Sequence, residues 1–113
     1  MRYLALLFVF WASMAYAQLF LPGTEDIPQM EGLKKVEETA SFDNPSERMV
    51  LIGAETIATK EEILKFYKQT LINLGWREVS FDTFERGTDT FSIEIIPLVD
   101  KNQIQFRLSQ SNS

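Results

Sequence analysis

Residues 59–76, TKEEILKFYKQTLINLGW, carry the pattern of a complete amphipathic helix. Thr59 and Glu62 have the spacing of a capping box, so the helix is predicted to begin at Lys60. Gly75 stands where helices commonly end in a left-handed residue, a conformation that glycine adopts without side-chain strain. The apolar residues between these signals recur at intervals of three and four, which places them on one face for burial: Ile63, Leu64, Tyr67, Leu71 and Leu74.

The segment before the helix is predicted to form a half-buried strand. Residues 33–43 place Val36, Ala40 and Phe42 at even spacing among charged and hydroxyl residues. Such alternation is typical of a strand that is apolar on one side. We therefore expect all three side chains to face the core.

A second strand is predicted over residues 48–58, after a turn that contains proline. It is expected to pair with the first strand as a hairpin. The alternation leaves two possibilities open for its buried side. Either Val50 and Ile52 face the core, or Met49 and Leu51 do.

The segment after the helix adds further strands. Residues 76–86 predict either one short strand or a bent pair, and the pattern does not choose between them. Two clearer strands follow, with alternating apolar residues: Phe91, Ile93 and Ile95, then Ile104, Phe106 and Leu108. The order β-β-α-β-β-β predicts an α+β fold, an antiparallel sheet of about five strands with one helix packed on one face. In such a sheet we expect the first hairpin to meet the last strand.

The first seventeen residues have the layout of a secretory signal peptide. Arg2 is followed by an uncharged apolar run, and Ala15-Tyr16-Ala17 has the small residues of a cleavage site that would leave Gln18 as the new N-terminus. The alternative is that the segment stays uncleaved and anchors the chain in a membrane. Either way the domain is predicted to be exported, to the periplasm or out of the cell.

The rest of the chain has the length of one domain. Residues 33–109 are predicted to form this single α+β domain, and the polar residues 110–113 a disordered tail. Residues 18–32 have no helical or strand period and are predicted to be an extended leader. The leader is expected to pack in part on the domain through three apolar residues: Ile27, Met30 and Leu33.

The composition excludes several kinds of chemistry. The chain has no cysteine and no histidine, so disulfides, cysteine nucleophiles, zinc sites of the usual kind and every Ser-His arrangement are ruled out. Its formal net charge of −5 repels nucleic acid. The sequence therefore predicts no catalytic residues, no metal site and no cofactor, and the protein is not expected to be an enzyme.

Several short motifs resemble a class of small exported proteins of Gram-negative bacteria whose function is unassigned. They are FYxxxLxxxGW at residues 66–76, FxRG at 84–87 and IxFxL at 104–108. The leader motif DIPxMxGL at residues 26–33 looks like that of alphaproteobacterial members. The layout of one helix on a curved sheet is also similar to modules of outer-membrane assembly lipoproteins, whose lipid-attachment cysteine this chain lacks. The resemblance implies export and no catalytic residues.

Two functions are predicted. The first is a non-enzymatic periplasmic interaction module, since a sheet with one helix leaves strand edges open to a partner's strand. Its partner would be an unknown envelope protein, and it would touch the membrane only through an uncleaved signal segment. The alternative is a carrier of a small apolar ligand held between helix and sheet, suggested by the nine phenylalanines. Its pocket is predicted from four aromatic residues: Tyr67, Trp76, Phe91 and Phe106.

Overall fold

One helix packs on a six-stranded antiparallel sheet in the computed structural model, which describes residues 19–111. The predicted α+β class and the helix on one face of an antiparallel sheet are confirmed. The number of strands is six because residues 76–86 form two strands, a hairpin, where the sequence left one or two open. The elements are β1 (Lys34–Asp43), β2 (Glu47–Thr56), α1 (Lys60–Asn73), β3 (Arg77–Ser80), β4 (Thr83–Arg86), β5 (Asp89–Pro97) and β6 (Asn102–Ser111).

The predicted signal peptide, residues 1–17, lies outside the described residues, as do Gln18 and residues 112–113. Within residues 19–111, no helix is both long enough and apolar enough to cross a membrane. The cleaved and the anchored alternatives therefore both stay predictions.

Helix α1 begins and ends as predicted. Thr59 Oγ1 accepts from the Glu62 backbone N–H at 3.1 Å, and Glu62 Oε1 accepts from the Thr59 N–H at 3.3 Å, which completes the capping box. Gly75 has φ +92°, and the Trp76 N–H turns back to the Leu71 carbonyl at 2.9 Å. In the apolar stripe, Ile63, Tyr67 and Leu71 are fully buried. Leu64 and Leu74 are partly buried.

The strands follow the order β1-β2-β6-β5-β4-β3 across the sheet. β2 pairs with β6 along its whole length, so the first hairpin meets the last strand as expected. Val50 and Ile52 face the core, which decides between the two alternations left open for β2. Strand β6 extends to Ser111, two residues beyond the predicted domain end at residue 109. Gln110 pairs with Arg48 of β2 in this extension, so residues 110 and 111 belong to the sheet and the predicted tail is wrong for them.

The expectation that Ala40 and Phe42 face the core is wrong. The register of β1 against β2 shifts twice in the first half of β1, and such bulges change which face a side chain reaches. As a result, Ala40 pairs with Leu51 and Phe42 with Met49, on the face opposite the helix. Val36 alone of the three packs against the core.

Candidate functional site

The four aromatic residues predicted to line a pocket come together between α1 and the sheet. The ring centroids of Tyr67 and Phe106 are 5.2 Å apart, and those of Phe91 and Phe106 are 5.8 Å apart. The Trp76 ring lies 6.2 Å from that of Phe91. All four side chains are buried. The rings therefore contact one another where the ligand was expected, an arrangement typical of a packed aromatic core.

Trp76 also lines a small cleft beside this core. The cleft has a volume of about 70 Å³ and includes Asp26, Arg86 and Gln110 in its wall. Small-molecule sites commonly measure roughly 300 to 1,000 Å³, so this cleft is small for an organic ligand. The Trp76 Nε1 is buried and has no hydrogen-bond partner within the described residues.

The leader folds onto the domain and completes its core. Its chain doubles back on itself, with the Leu21 N–H bonded to the Ile27 carbonyl at 2.8 Å. Ile27, Met30 and Leu33 are buried, which confirms them as the expected anchors. Leu21 is buried as well and was missed, because an isolated apolar residue beside Pro22-Gly23 has no periodic signal.

Tyr67 holds the leader through its hydroxyl group. The hydroxyl donates to the Pro28 carbonyl at 3.0 Å and accepts from the Met30 N–H at 3.1 Å. Both hydrogen bonds are buried. Tyr67 thus joins the middle of the helix to two main-chain groups of the leader, a role that helical spacing could not indicate.

Two arginines hold the leader at other points. The Arg86 guanidinium binds both carboxylate oxygens of Asp26, at 2.9 and 3.2 Å, and also donates to the Leu74 carbonyl at 3.1 Å. It lies over the Trp76 ring, 4.6 Å from the centroid. The hydrogen bond to Asp26 raises the pKa of Arg86 further above its already high value. Arg48 donates to the Gly23 carbonyl at 2.9 Å.

Strand β1 presents a long edge on the opposite side of the sheet from β3. Every residue of β1 except Val36 is exposed, and in the described part of the chain only β2 pairs with it. Phe42, at 56% exposure, lies beside the half-buried Met49 and Leu51 on the outer face. A groove of about 440 Å³ continues from these residues across the outer face, and most of its lining comes from β2, β5 and β6: Met49, Leu51, Ser92, Ile93, Glu94, Gln105 and Arg107, together with Asp82.

Comparison of the chain with protein-family models, with curated proteins and with solved structures gives no match. The resemblance to small exported proteins therefore stays a prediction. Within residues 19–111, no three acidic side chains come together in an arrangement that could hold a metal ion. The proposals on function therefore rest on the β1 edge and on the contacts that hold the leader.

Burial of the Tyr67 side chain is expected to make the domain less stable at alkaline pH. It raises the pKa of the Tyr67 phenol well above its ordinary value, and the hydrogen bond from Met30 opposes this shift only in part. The unfolded chain releases the phenol proton near pH 10, while the folded chain keeps it. We therefore expect the contribution of Tyr67 to the free energy of unfolding to be complete below pH 10 and to decline above it.

Tyrosinate absorbance of the protein consisting of residues 18–113 measures this directly, since Tyr67 is its single tyrosine. The transition should lie at higher pH in the folded protein than in the denatured one. Tyr67→Phe is the control, because it removes the absorbance change and this part of the pH dependence. A folded-state transition at the ordinary pKa would contradict the expectation.

Proposed function

We propose that the protein is a non-enzymatic interaction module of the cell envelope that binds an extended segment of a partner protein at the edge of β1. The observation that carries the proposal is this ten-residue edge strand, exposed on both faces. Exposed edges accept an additional strand through main-chain hydrogen bonds, and proteins commonly protect them unless they are used.

The two halves of β1 differ in how well they are protected. The first half contains both register shifts, four charged residues within five positions and Lys35 at φ +53°, features that discourage pairing with another strand. The register is regular from Ala40 onward. The partner strand is therefore expected to pair along residues 40–42 and to place its side chains beside Phe42, Met49 and Leu51.

The other edge of the sheet fits this function less well. Strand β3 has four residues and a register shift against β4. Its Arg77 forms an ion pair with Glu85 at 2.7 Å, and its Glu78 is 3.7 Å from Lys68 of the helix. The register shift and these ion pairs make the β3 edge less regular than the second half of β1, where the register is unbroken.

Two features of the sequence support the rest of the proposal. The signal-peptide pattern of residues 1–17 supports export to the periplasm or the medium. The lack of cysteine and histidine removes the commonest nucleophiles and general bases, which supports a role in binding. Carriage of a small apolar ligand is less favoured, because the rings that would line its pocket contact one another.

Binding at the β1 edge can be tested by comparing matched positions on β1 and near β3. A photo-crosslinking amino acid at Ser41, on β1, is expected to capture a defined partner from envelope extract, whereas the same group at the exposed Ser80, on β3, is not. Phe42→Ser should reduce capture by about tenfold or more, since it removes an apolar anchor of the patch.

Phe81→Ser is the matched control, because Phe81 is 64% exposed but lies in the turn between β3 and β4. It should leave capture unchanged. Equal capture from Ser41 and Ser80, or equal loss with both phenylalanine variants, would contradict binding at β1.

A further inference from the structure

We propose that the groove holding the leader is a peptide-binding site, and that residues 19–31 are its intramolecular ligand. This leader groove lies between α1 and the end of the sheet that is formed by the start of β2 and the ends of β4 and β6. The residues that contact or surround the leader there are Arg48, Val50, Tyr67, Trp76, Arg86 and Leu108. Gly23 of the leader lies near the side chain of Glu38 on β1, but the site does not include residues 40–42, where the partner strand is proposed to pair.

The leader is attached as a ligand is, not as a strand of the sheet. Its main-chain to main-chain hydrogen bonds, within the described residues, stay inside the leader, such as Leu21 N–H to Ile27 and Gln29 N–H to Leu19, or in the turn that connects it to β1, where the Leu33 N–H donates to the Met30 carbonyl at 3.3 Å. The domain reaches it only with side chains, through Arg48, Tyr67 and Arg86. Removing the leader would therefore break no ladder of the sheet.

The polar contacts recognise groups that many peptides possess. Tyr67 binds the carbonyl of one residue and the N–H of the residue two further on, and Arg48 binds another carbonyl. These three hydrogen bonds use main-chain groups only. Arg86 is the selective contact, since its two hydrogen bonds to Asp26 require a planar carboxylate.

The apolar contacts complete the specificity. Ile27 and Met30 are 1% and 7% exposed. Ile27 follows Asp26 directly, and Met30 lies three positions after Ile27. The groove fits a peptide that folds back on itself as the leader does, with a carboxylate, a large aliphatic residue next to it, and a second unbranched or aliphatic residue three positions later. A segment of a partner protein with this chemistry would displace the leader.

The connection between leader and sheet allows such an exchange. Glu31 and Gly32 form an exposed turn, and Gly32 has φ +92°. The Asp26 and Arg86 side chains are 42% and 34% exposed, so water reaches the ion pair. While the leader is covalently attached, its local concentration is of the order of millimolar, and a free peptide competes against it.

Cutting the chain after folding removes the covalent link, and with it the high local concentration of the leader, so it tests the proposal. A protease site inserted in the Glu31-Gly32 turn of the full chain allows the folded protein to be cleaved there. A fluorescent synthetic peptide of residues 19–31 is then added, and its anisotropy is measured with the cut and the uncut protein. We expect saturable binding to the cut protein, and at least tenfold weaker binding to the uncut one.

Two matched peptides test the recognition of the carboxylate. Asp26→Asn should weaken binding about tenfold, because it removes the charged partner of Arg86. Glu25→Gln makes the same chemical change at the neighbouring exposed residue, which accepts no hydrogen bond from Arg86, and should change affinity less than threefold.

The proposal is overturned if the cut protein stays folded and does not bind the labelled peptide, or if Asp26→Asn and Glu25→Gln bind alike. If the cut protein unfolds as its own leader dissociates, refolding on addition of the peptide supports the proposal. Failure to refold at peptide concentrations up to millimolar overturns it. Loss of capture at β1 would leave all of these results unaffected, so the two proposals can fail separately.

Discussion

Phe106→Ala is expected to lower the free energy of unfolding by about 3 to 5 kcal/mol. Phe106 is fully buried on β6, and its ring contacts those of Tyr67 and Phe91 at centroid distances of 5.2 and 5.8 Å. Removing the ring takes away both contacts and leaves a cavity that the surrounding strands cannot close. Domains of this size have a total stability of roughly 5 to 15 kcal/mol, so the loss is a large fraction of it.

Urea denaturation of the domain followed by tryptophan fluorescence measures this loss, with the slope against denaturant checked for two-state behaviour. Phe42→Ala is the matched control, because the same atoms are removed from a side chain that is 56% exposed. It should cost less than about 0.5 kcal/mol. A cost below about 1 kcal/mol for Phe106→Ala would contradict a packed core and would favour the ligand carrier instead.

Tyr67→Phe is expected to lower the free energy of unfolding by about 2 kcal/mol. The substitution keeps the ring and removes one oxygen, which donates to the Pro28 carbonyl and accepts from the Met30 N–H. Both main-chain groups would then be buried without this partner. The leader should loosen first, since its other polar contacts lie at Arg48 and Arg86, nearer its first half.

Amide hydrogen exchange at Met30, measured together with denaturation, separates local loosening from global unfolding. Exchange at Met30 should accelerate more than exchange at Phe106 in the centre of the sheet. Thr39→Val is the control for loss of a hydroxyl, because Thr39 donates to the Leu51 carbonyl at 3.2 Å on an exposed strand. Thr39→Val should leave the free energy of unfolding nearly unchanged. An equally small effect of Tyr67→Phe would contradict the role of the Tyr67 hydroxyl in holding the leader.

The local signals of the sequence were sufficient for the helix and the central strands. Thr59 and Glu62 specified the start of α1, and Gly75 specified its end, because capping depends on residues three or four positions apart. The alternation of β5 and β6 likewise placed Phe91 and Phe106 on the inner face. Tyr67, Phe91 and Phe106 could be predicted to meet, since each belongs to a face set by a short period, whereas Trp76 lies between the helix and β3 and belongs to no such face.

Other features required the folded chain. The exposure of Phe42 depends on the register shift between Glu38 and Ala40 in β1, which turns the later residues to the opposite face without a mark in the composition. The pairing of Asp26 with Arg86 joins residues sixty positions apart, and the hydrogen bonds of Tyr67 to the leader span nearly forty. The sequence by itself determined where the helix and strands form, because those preferences are local. Only the tertiary structure decided where the leader lies and which strands form the two ends of the described sheet, because both follow from contacts between segments distant in the chain.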